Sequence, residues 1–452
     1  MSEISSAYLE DASGYRGHAL RVVVPRDEAE VAAALREASA ASIPITIAGA
    51  GTGLTGARVP LGGWVLSLEK LTRMEVRVGA AVAGAGVLLR DLHGAAAATR
   101  QFYPPDPTEM AASIGGTIAT NASGSRSFRY GDTRRHVEAL RVVLADGTVR
   151  AFRRGQPVDF DTGTLPIPHT TKHTAGYYLR PNLDWVDLFI GAEGTLGVVT
   201  DAELRLLPAP AALLGGVVFF DGGSSDADQA ALNAVDAWRA DPTLRMLEYF
   251  DRGSLALLGQ PHGAALLFEQ ELASEDDPAI EAWESRIAGA TDSWFALNAR
   301  DREKFREFRH ALPEMVNDTV RRNGFLKIGS DYAVPIERNR EMLAYYRRRL
   351  EQEFAGRYVI FGHIGDAHLH VNLLPASDAD SARGEELMLE FARQAVALGG
   401  TVSAEHGLGK RKAHLLELLY TPAEIDLMRA VKRRLDPQWV LGRGTLFSAP
   451  EE

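Results

Sequence analysis

The 452-residue sequence predicts a mixed α/β protein built in three parts. Predicted strands, rich in β-branched and apolar residues, alternate along the chain with amphipathic helices. The chain is also too long for a single hydrophobic core, and three glycine-dense segments all fall in its first half. We therefore expect a glycine-rich ligand-binding part, a second domain and a shorter C-terminal part.

The clearest elements can be placed in chain order. DEAEVAAALREASAA predicts an amphipathic helix in which Asp27 and Glu30 form a capping box, and IPITIAG then predicts a strand. Between Leu213 and Pro375, strands such as GGVVFF and YVIFGHI alternate with charged helices such as DREKFREFRHALPEMVND, which indicates a second domain. TPAEIDLMRAVKRRLDP predicts a final helix with Thr421 as N-cap and Glu424 at the third helical position.

Composition excludes several classes of protein. A net charge of −11 without a basic stripe argues against binding to nucleic acid. The absence of cysteine excludes disulfides, iron–sulfur ligation and thiol chemistry, so any redox chemistry requires an organic cofactor. The first twenty residues do not form a secretory signal, and no window is apolar enough for a membrane span. We expect a cytoplasmic protein.

The first glycine-dense segment is GAGTGLTG, residues 49–56. Its Gly-x-Gly-x-x-Gly spacing matches the dinucleotide fingerprint, but that fingerprint requires a helix at the third glycine. Pro60, Gly62 and Gly63 forbid a helix there. The segment is either a tight structural loop or a loop whose successive backbone N–H groups bind an anion such as a pyrophosphate.

Two further segments favour the ligand-binding interpretation. YPPDPTEMAASIGGTIATNASGSRSFRYGD, residues 103–132, and FIGAEGTLGVVT, residues 189–200, combine glycine with Ser, Thr and Asn. Such segments let a ligand lie against bare backbone while hydroxyl and amide groups hydrogen-bond to it. Three of them in one part of the chain indicate one large, flat, phosphate-bearing ligand.

FGHIGDAHLHVN, residues 361–372, predicts a β-hairpin with a two-residue Gly365-Asp366 turn. This register would place His363 opposite His368, with His370 on the diagonal. Because side chains at i and i+2 share a face of a strand, four side chains would lie on one side of the sheet: His363, His368, His370 and Asn372. The cluster is either a metal site or a polar face of hydrogen-bonded histidines.

Five motifs in this order resemble the FAD-linked D-2-hydroxy acid dehydrogenases of the vanillyl-alcohol oxidase superfamily. They are GAGTGLTG, PPDPTEMAASIGGTIATNASG, LFIGAEGTLGVVT, GHIGDAHLH and SAEHGLG. That family includes D-lactate dehydrogenases, the flavin subunit of glycolate oxidase and D-2-hydroxyglutarate dehydrogenase. The resemblance implies an α+β fold: a two-lobed FAD-binding domain over residues 1–210, a substrate domain with an antiparallel sheet over 211–400, and a C-terminal segment over 401–452 that returns to the flavin.

The resemblance assigns three groups of residues to FAD. They are Gly49, Ala50, Gly51, Thr52, Gly53, Leu54, Thr55 and Gly56; Pro105, Asp106, Ser113, Gly115, Gly116, Thr117, Thr120, Asn121, Ser123 and Gly124; and Glu193, Gly194, Gly197 and Val198. No histidine lies between Ile43 and Val59 to tether the flavin, so we expect non-covalent FAD. Two features depart from the family: Ala48 replaces a common arginine, and LGRGTLF, residues 441–447, replaces the usual Asn-Pro-Gly-Lys ending.

The resemblance also implies a divalent metal, Zn, Mn or Fe, bound by His363, His370 and Glu405. Two imidazoles and one carboxylate leave coordination positions open, through which a 2-hydroxy acid could chelate the ion. The family usually has asparagine at the position of His368. This histidine is therefore an additional ligand, a group behind the ligands or a substrate contact.

The resemblance makes His406 the base that takes the substrate hydroxyl proton; the alternative is a histidine merely hydrogen-bonded in its loop. It also makes Arg309 a bidentate clamp on the substrate carboxylate, with Lys327 and Asn372 in support. The alternative for Arg309 is an ordinary solvated helix face.

The implied function is FAD-dependent, metal-assisted oxidation of a D-2-hydroxy acid to a 2-oxo acid, with hydride transfer to the flavin. Electrons would leave to a quinone, a cytochrome or an electron-transfer flavoprotein. Two alternatives are a metal-independent flavin oxidase of sugars or alcohols and a non-catalytic flavin-binding subunit of a redox complex. Bound metal after purification would argue against the oxidase, and bleaching of the flavin by a hydroxy acid would argue against the subunit.

Overall fold

The computed structural model describes residues 4–448, so the outermost ends of the predicted first and third parts lie outside the described residues. The strands of the first part are β1 (Arg21–Val23), β2 (Ile45–Ala48), β3 (Trp64–Ser67), β4 (Met74–Arg77), β5 (Ala80–Gly84), β6 (Gln101–Phe102), β7 (Val137–Val143), β8 (Val149–Arg153), β9 (Val198–Arg205) and β10 (Leu207–Pro208). Its helices are α1 (Glu28–Ala40), α2 (Leu89–Ala97), α3 (Ile114–Thr120), α4 (Ser127–Tyr130) and α5 (Trp185–Phe189).

Two main sheets give this part its two lobes. The first is a parallel sheet in the order β1-β3-β2, and the second is an antiparallel sheet in the order β4-β5-β9-β7-β8. β6 and β10 form a separate two-stranded ribbon. The segment of residues 49–56 leaves the end of β2 without forming a helix, as Pro60 and the following glycines predicted.

The second part contains one large sheet with helices on both sides. Its elements are β11 (Ala212–Phe220), α6 (Ser224–Trp238), β12 (Leu244–Asp251), α7 (Arg252–Leu257), β13 (Ala264–Leu272), α8 (Ala282–Arg286), β14 (Asp292–Ala296), α9 (Ala299–Arg322), β15 (Ile328–Gly329), α10 (Asn339–Glu353), β16 (Tyr358–His363), β17 (His368–Leu373) and α11 (Asp378–Ala397). The seven strands run antiparallel in the order β14-β11-β13-β12-β16-β17-β15.

The two faces of this sheet pack against different helices. Alternate residues such as Tyr249 and Ile360 enter the core that includes α6, α10 and α11, whereas Phe250 and Phe361 pack with Leu312 of α9. Such alternation follows from the two-residue period of a strand. The face covered by α9 is the one that carries the polar site described below.

The C-terminal part adds α12 (Leu416–Leu419) and α13 (Pro422–Leu435) and then returns to the first part. The N–H of Ile45 donates to Val440 O, and the N–H of Gly442 donates to Ile45 O, so this segment pairs with β2. Leu441 is buried in the core of the first lobe. Backbone pairing and apolar burial therefore attach the divergent ending to the first lobe.

Both predicted helix starts are present, but only one has a full capping box. At α13 the Thr421 hydroxyl accepts the Glu424 N–H, and the Glu424 carboxylate accepts the Thr421 N–H. At α1 the Asp27 side chain accepts the Glu30 N–H, whereas the Glu30 carboxylate accepts the N–H of Arg26. The second hydrogen bond of the predicted capping box at α1 therefore involves the N–H of Arg26 instead of the N–H of Asp27.

Two local predictions differ from the structure. For the stretch SIGGTIAT the sequence predicted only bare backbone for a ligand, whereas the structure has the helix α3 there, capped by Ser113. A Cβ at Gly115 would lie 2.7 Å from the Ala85 Cβ, so close packing explains a glycine that intrinsic helix propensity disfavours. The hairpin turn contains a short 3₁₀ helix, Ile364–Asp366, and it is Ala367, at φ 51°, that adopts the left-handed conformation rather than Gly365.

Candidate active site

The predicted histidine cluster lies on one face of the large sheet. His363 is paired directly with His368, as the predicted register required. One ligand atom from each of His363, His368, His370 and Glu405 lies within 4.8 Å of the others. The cluster is therefore assembled from the β16–β17 hairpin and from a loop of the C-terminal part.

The Glu405 carboxylate is held in one orientation. Its Oε2 atom accepts hydrogen bonds from Ser123 Oγ at 2.8 Å and from Lys172 Nζ at 3.2 Å. Its Oε1 atom faces His363 Nε2 at 3.0 Å and His370 Nε2 at 3.4 Å. Desolvation of the carboxyl acts to raise its pKa, but Lys172 and His363 outweigh this and hold the pKa of Glu405 well below its usual range. The carboxylate is thus ionised where two imidazole nitrogens converge.

Lys172 was not identified from the sequence. It lies in a stretch without a motif, is almost fully buried, and reaches Glu405 and, at 3.5 Å, Asp366. Its Nζ also donates to Gly124 O at 3.0 Å, so one ammonium group links the histidine cluster to the second glycine-rich segment. Only the tertiary fold brings these segments together, which is why no sequence pattern indicated Lys172.

Glu248 of β12 is a second residue that the sequence did not indicate. His363 Nδ1 donates to Glu248 Oε1 at 2.6 Å, and Arg309 Nε donates to Glu248 Oε2 at 2.8 Å. Burial acts to lower the pKa of His363, yet the Glu248 and Glu405 carboxylates raise it to about 9. The negative charges of two carboxylates around the His363 imidazole therefore favour a cation at this position.

His406 lies against His370, with the two rings stacked at 5.5 Å between centroids. Its backbone N–H donates to Asp331 Oδ2 at 2.9 Å, and its Nδ1 lies 3.4 Å from Asp331 Oδ1. Burial is the main cause that lowers the pKa of His406 to about 4, so the imidazole is neutral near pH 7. Nδ1 is turned towards Asp331, which favours the tautomer with the proton on Nδ1 and the lone pair on Nε2.

A cavity of about 280 Å³ lies between the two lobes of the first part and the C-terminal loop. Most residues assigned to FAD line it: Gly49, Ala50, Gly51, Thr52, Gly53, Leu54, Thr55, Ser113, Gly115, Gly116, Thr117, Thr120, Ser123, Gly124, Glu193, Gly194 and Gly197. The wall is therefore mainly glycine backbone and Ser or Thr hydroxyl groups, as the three segments predicted.

Five assigned residues lie behind the wall instead. Gly56 N–H donates to Asp11 Oδ2, the Pro105 carbonyl faces His93 Nε2, and the Asp106 carboxylate accepts the Arg126 N–H. Asn121 caps α3 in a left-handed conformation and donates to Asp132. Val198 points into the core of the first lobe, and its neighbour Val199 lines the cavity, because adjacent strand residues face opposite sides.

Glu193 has a structural role in addition to lining the cavity. Its carboxylate accepts the backbone N–H groups of Leu408 at 2.9 Å and Gly409 at 2.8 Å. Burial is the main cause that raises the pKa of Glu193 to about 7. The third glycine-rich segment therefore holds the SAEHGLG loop against the cavity.

A second cavity, of about 420 Å³, adjoins the first. Arg309, Lys327, Asn372 and the metal-ligand candidates His363 and His370 line it. Glu405 and His406 line both cavities, so they form part of the wall between them. His368 is not among the lining residues of either cavity.

The cations of the second cavity differ in their partners. Arg309 donates through Nε to Glu248 and through Nη1 to Thr108 Oγ1. Lys327 makes no hydrogen bond to the described residues through Nζ; desolvation, with a smaller effect of Lys412, lowers the pKa of Lys327 to about 8. Lys412, which the sequence did not indicate, donates to Gly329 O. The predicted bidentate clamp is thus partly engaged by protein groups already.

Comparison with known proteins identifies the family. Residues 19–153 match the model of an FAD binding domain, and residues 224–446 match that of the C-terminal domain of FAD linked oxidases. The chain is 32% identical to the D-lactate dehydrogenase of Archaeoglobus fulgidus over 94% of this chain and 90% of that protein. The chain belongs to the FAD-linked oxidase family. This confirms the resemblance drawn from the five motifs.

Other members of the family are similarly close. The glycolate oxidase subunit GlcD of Bacillus subtilis is 32% identical and is covered over 88% of its length, and the D-2-hydroxyglutarate dehydrogenase of Xanthomonas citri pv. viticola is 31% identical over 89%. A solved structure of alkyldihydroxyacetonephosphate synthase superposes with a TM-score of 0.68 over 93% of this chain and 76% of that one. At 15% identity it supports the fold alone.

The chain is therefore an FAD-binding oxidoreductase with the predicted mixed fold and antiparallel substrate-side sheet. Within residues 4–448, no helix has both the length and the apolar character needed to cross a membrane.

Proposed function

We propose that this enzyme oxidises a D-2-hydroxy acid to the corresponding 2-oxo acid with the help of a divalent ion. The relatives named above as D-lactate and D-2-hydroxyglutarate dehydrogenases support this substrate class. The observation that carries the proposal is the position of Glu405 and His406. They stand where the cavity lined by the glycine-rich segments meets the cavity lined by Arg309, Lys327 and Asn372.

The residues present fit FAD. Bare backbone at Gly49, Gly51 and Gly53 and at the N-terminal turn of α3 suits a pyrophosphate-bearing ligand that must approach the main chain closely. FAD, when bound, supplies the two-electron acceptor for the substrate C2–H bond. Among the described lining residues, His406 is the only histidine and there is no cysteine, which supports non-covalent binding.

The residues present also fit a divalent ion. Two imidazole Nε2 atoms and an ionised carboxylate oxygen converge, and the opposite nitrogen of each imidazole has an outer partner, Glu248 for His363 and Ser330 O for His370. Such outer partners orient metal-binding histidines in general. A divalent ion of the Zn, Mn or Fe type, when bound, supplies a Lewis acid for the substrate hydroxyl.

Side chains of the protein carry out proton transfer and bind the substrate carboxylate. Neutral His406 receives the hydroxyl proton at Nε2, while Asp331 stabilises the imidazolium that forms through Nδ1. Arg309 binds the substrate carboxylate through its Nη edge, because Glu248 already occupies its Nε side. Lys327 and Asn372 supply further donors in the same cavity. The Nδ2 atom of Asn372 has no hydrogen-bond partner among residues 4–448. Reducing equivalents then leave to a quinone, a cytochrome or an electron-transfer flavoprotein.

An anaerobic visible-absorbance titration tests the proposal. The purified protein is mixed with matched D- and L-2-hydroxy acids, before and after treatment with a chelator, and with sugars and simple alcohols. We expect a D-2-hydroxy acid to bleach the flavin bands and metal removal to slow the bleaching strongly. Bleaching by sugars or alcohols without metal dependence would support the metal-independent oxidase instead. No bleaching by any hydroxy acid would support the non-catalytic subunit.

A further inference from the structure

The position of His368 bears on the three roles considered for it, which are a metal ligand, a group behind the ligands and a substrate contact. Its side chain is fully buried, at 0% exposure, and its ring centroid lies 5.3 Å from that of His363 and 4.4 Å from that of His370. It lines neither cavity, so a direct contact with the substrate is not supported. It is either a metal ligand or a group that positions the ligands from behind.

The hydrogen-bond partners of His368 separate these two roles. Nε2 lies 3.1 Å from Asp331 Oδ1. Nδ1 has no hydrogen-bond partner among residues 4–448. A buried imidazole nitrogen without a partner is unfavourable, because it loses its hydrogen bond to water and gains none in return. Asp331 is therefore the carboxylate behind Nε2, whereas Nδ1 is left without a partner among residues 4–448, as expected of a nitrogen reserved for a ligand.

The three histidines of the hairpin follow one pattern. His363 has the Glu248 carboxylate on one nitrogen, His370 has a backbone carbonyl, and His368 has the Asp331 carboxylate nearby. The other nitrogen of His363 and of His370 faces Glu405 Oε1, and one ligand atom from each of the four groups, His368 included, lies within the same 4.8 Å. Metal-binding histidines typically have such a carboxylate or carbonyl behind them.

We propose that His368 is a fourth protein ligand of the divalent ion, which makes the site three imidazoles and one carboxylate. This inference rests on the ion in the proposed function and deepens it. In a six-coordinate ion, two positions would remain for the hydroxyl and carboxylate oxygens of a 2-hydroxy acid. An added imidazole favours Zn²⁺ or Fe²⁺ over Mn²⁺, which prefers oxygen ligands.

The test counts imidazole ligands and does not depend on activity. FAD-loaded protein is freed of metal with a chelator and reloaded with stoichiometric Cu²⁺, and pulsed EPR counts the coordinated imidazoles. We expect three in the wild type, two in His368→Asn and three in His406→Asn. His173→Asn removes a partly buried imidazole whose hydrogen-bond partners among the described residues are Thr401 and Tyr420, and it should keep three.

A second measurement reports affinity. Competition with a chromophoric chelator should show that His368→Asn binds Zn²⁺ at least ~100-fold more weakly than the wild type, since loss of an outer partner alone costs about 10–100-fold. The His173→Asn control should bind Zn²⁺ as the wild type does. Flavin absorbance verifies that each variant is folded.

The outcomes separate this inference from the proposed function. A wild type that binds Cu²⁺ through two imidazoles, with the same count in His368→Asn, would overturn the role of His368 but leave the ion in place. A wild type that binds neither Cu²⁺ nor Zn²⁺ would overturn both. If His368→Asn does not fold, the number of imidazoles bound to Cu²⁺ in His406→Asn decides, because this variant excludes His406 as the third ligand. Three imidazoles would support His368 as a ligand, and two would exclude it.

Discussion

Among single residues, Glu248 shows how one buried carboxylate serves two functions. It holds Nδ1 of a metal-ligand candidate, His363, and the guanidinium of the proposed substrate clamp, Arg309. Desolvation would raise its pKa, but Arg309 and His363 outweigh this and lower the pKa of Glu248 far below its usual range. The proposed metal site and the proposed substrate clamp are thus joined through a carboxylate that its partners keep charged.

Replacing Glu248 by glutamine should therefore affect both functions. We expect Glu248→Gln to weaken metal binding by about 10–100-fold and to raise KM, because His363 and Arg309 both lose a charge-assisted partner. Glu269→Gln is the matched control, since Glu269 is also ion-paired with arginines but does not contact the cluster. Metal titration and steady-state kinetics decide; unchanged metal affinity in Glu248→Gln would exclude the coupling.

His406 and Arg309 should give different kinetic defects. We expect His406→Ala to slow flavin reduction by roughly 10²- to 10⁴-fold with modest change in substrate affinity, because its contact is made during proton transfer. Arg309→Ala should raise KM strongly, with some loss of rate from misorientation. Anaerobic rapid-mixing measurements of flavin reduction compare the two. If flavin is reduced in His406→Ala at the wild-type rate, another residue must be the base.

The pKa of Lys327 should set the pH above which kcat/KM falls. Desolvation, together with Lys412, lowers the pKa of Lys327 to about 8. The group is a cation below this pH and neutral above it, so attraction of the substrate carboxylate is present below about pH 8 and lost as the pH rises further. We expect kcat/KM to fall above about pH 8. In Lys327→Arg the fall should move to higher pH, because arginine remains charged; an identical profile would exclude Lys327.

Among the secondary-structure elements and loops, the SAEHGLG loop contains a glycine whose position leaves no room for a side chain. Gly409 has φ 54°, and a Cβ there would lie 2.2 Å from Thr55 O of the first glycine-rich segment. The same loop is held by the Glu193 carboxylate. The loop that carries Glu405 and His406 therefore packs directly on the backbone of the cofactor cavity.

We expect Gly409→Ala to lower flavin retention and to lower the temperature of flavin release. Gly79→Ala is the matched control: Gly79 also has a positive φ, 78°, but nothing lies within 4 Å of an added Cβ. The control isolates backbone strain, on the order of 1–3 kcal/mol, from the steric clash. Flavin fluorescence during heating measures both variants. Equal shifts would mean that strain alone, and not contact with the cofactor loop, is responsible.

For the molecule as a whole, Glu405 connects the three parts. Its carboxylate meets the hairpin histidines of the second part, and Ser123 and Lys172 of the first. The proposed metal site and the cavity assigned to FAD are therefore not independent at this residue, although they draw on separate stretches of sequence. Removal of the carboxylate would leave a buried ammonium with a weakened set of partners, which is strongly unfavourable.

The ligand variants should consequently differ. We expect His363→Ala and His370→Ala to lose metal and keep flavin, whereas Glu405→Ala should lose metal and also destabilise the protein by a few kcal/mol. Glu405→Gln keeps an acceptor for Ser123 and Lys172, so it should lose metal but retain more flavin than Glu405→Ala. Metal analysis and flavin content after gel filtration measure this. Equal flavin retention in both Glu405 variants would mean that the Lys172 contact contributes little.

The local pattern of residues was enough to predict many features of this protein. The helix starts at Asp27 and Thr421, the pairing of His363 with His368 and the non-helical course of residues 49–56 follow from capping, strand period and glycine or proline geometry. These are short-range effects, so neighbouring residues suffice. The family and its cofactor could also be recognised, because five ordered motifs carry them.

Other features depend on contacts between distant parts of the chain. Lys172, Glu248 and Asp331 act through partners more than sixty residues away, and those partners keep the three groups charged although burial opposes the charged form. In α3, Gly115 packs too closely on Ala85 for a larger residue, and in the following strand Val198 faces a core while its neighbour Val199 lines the cavity. Distances and desolvation of this kind arise only when the chain is folded, and they determine which charges surround the predicted ligands.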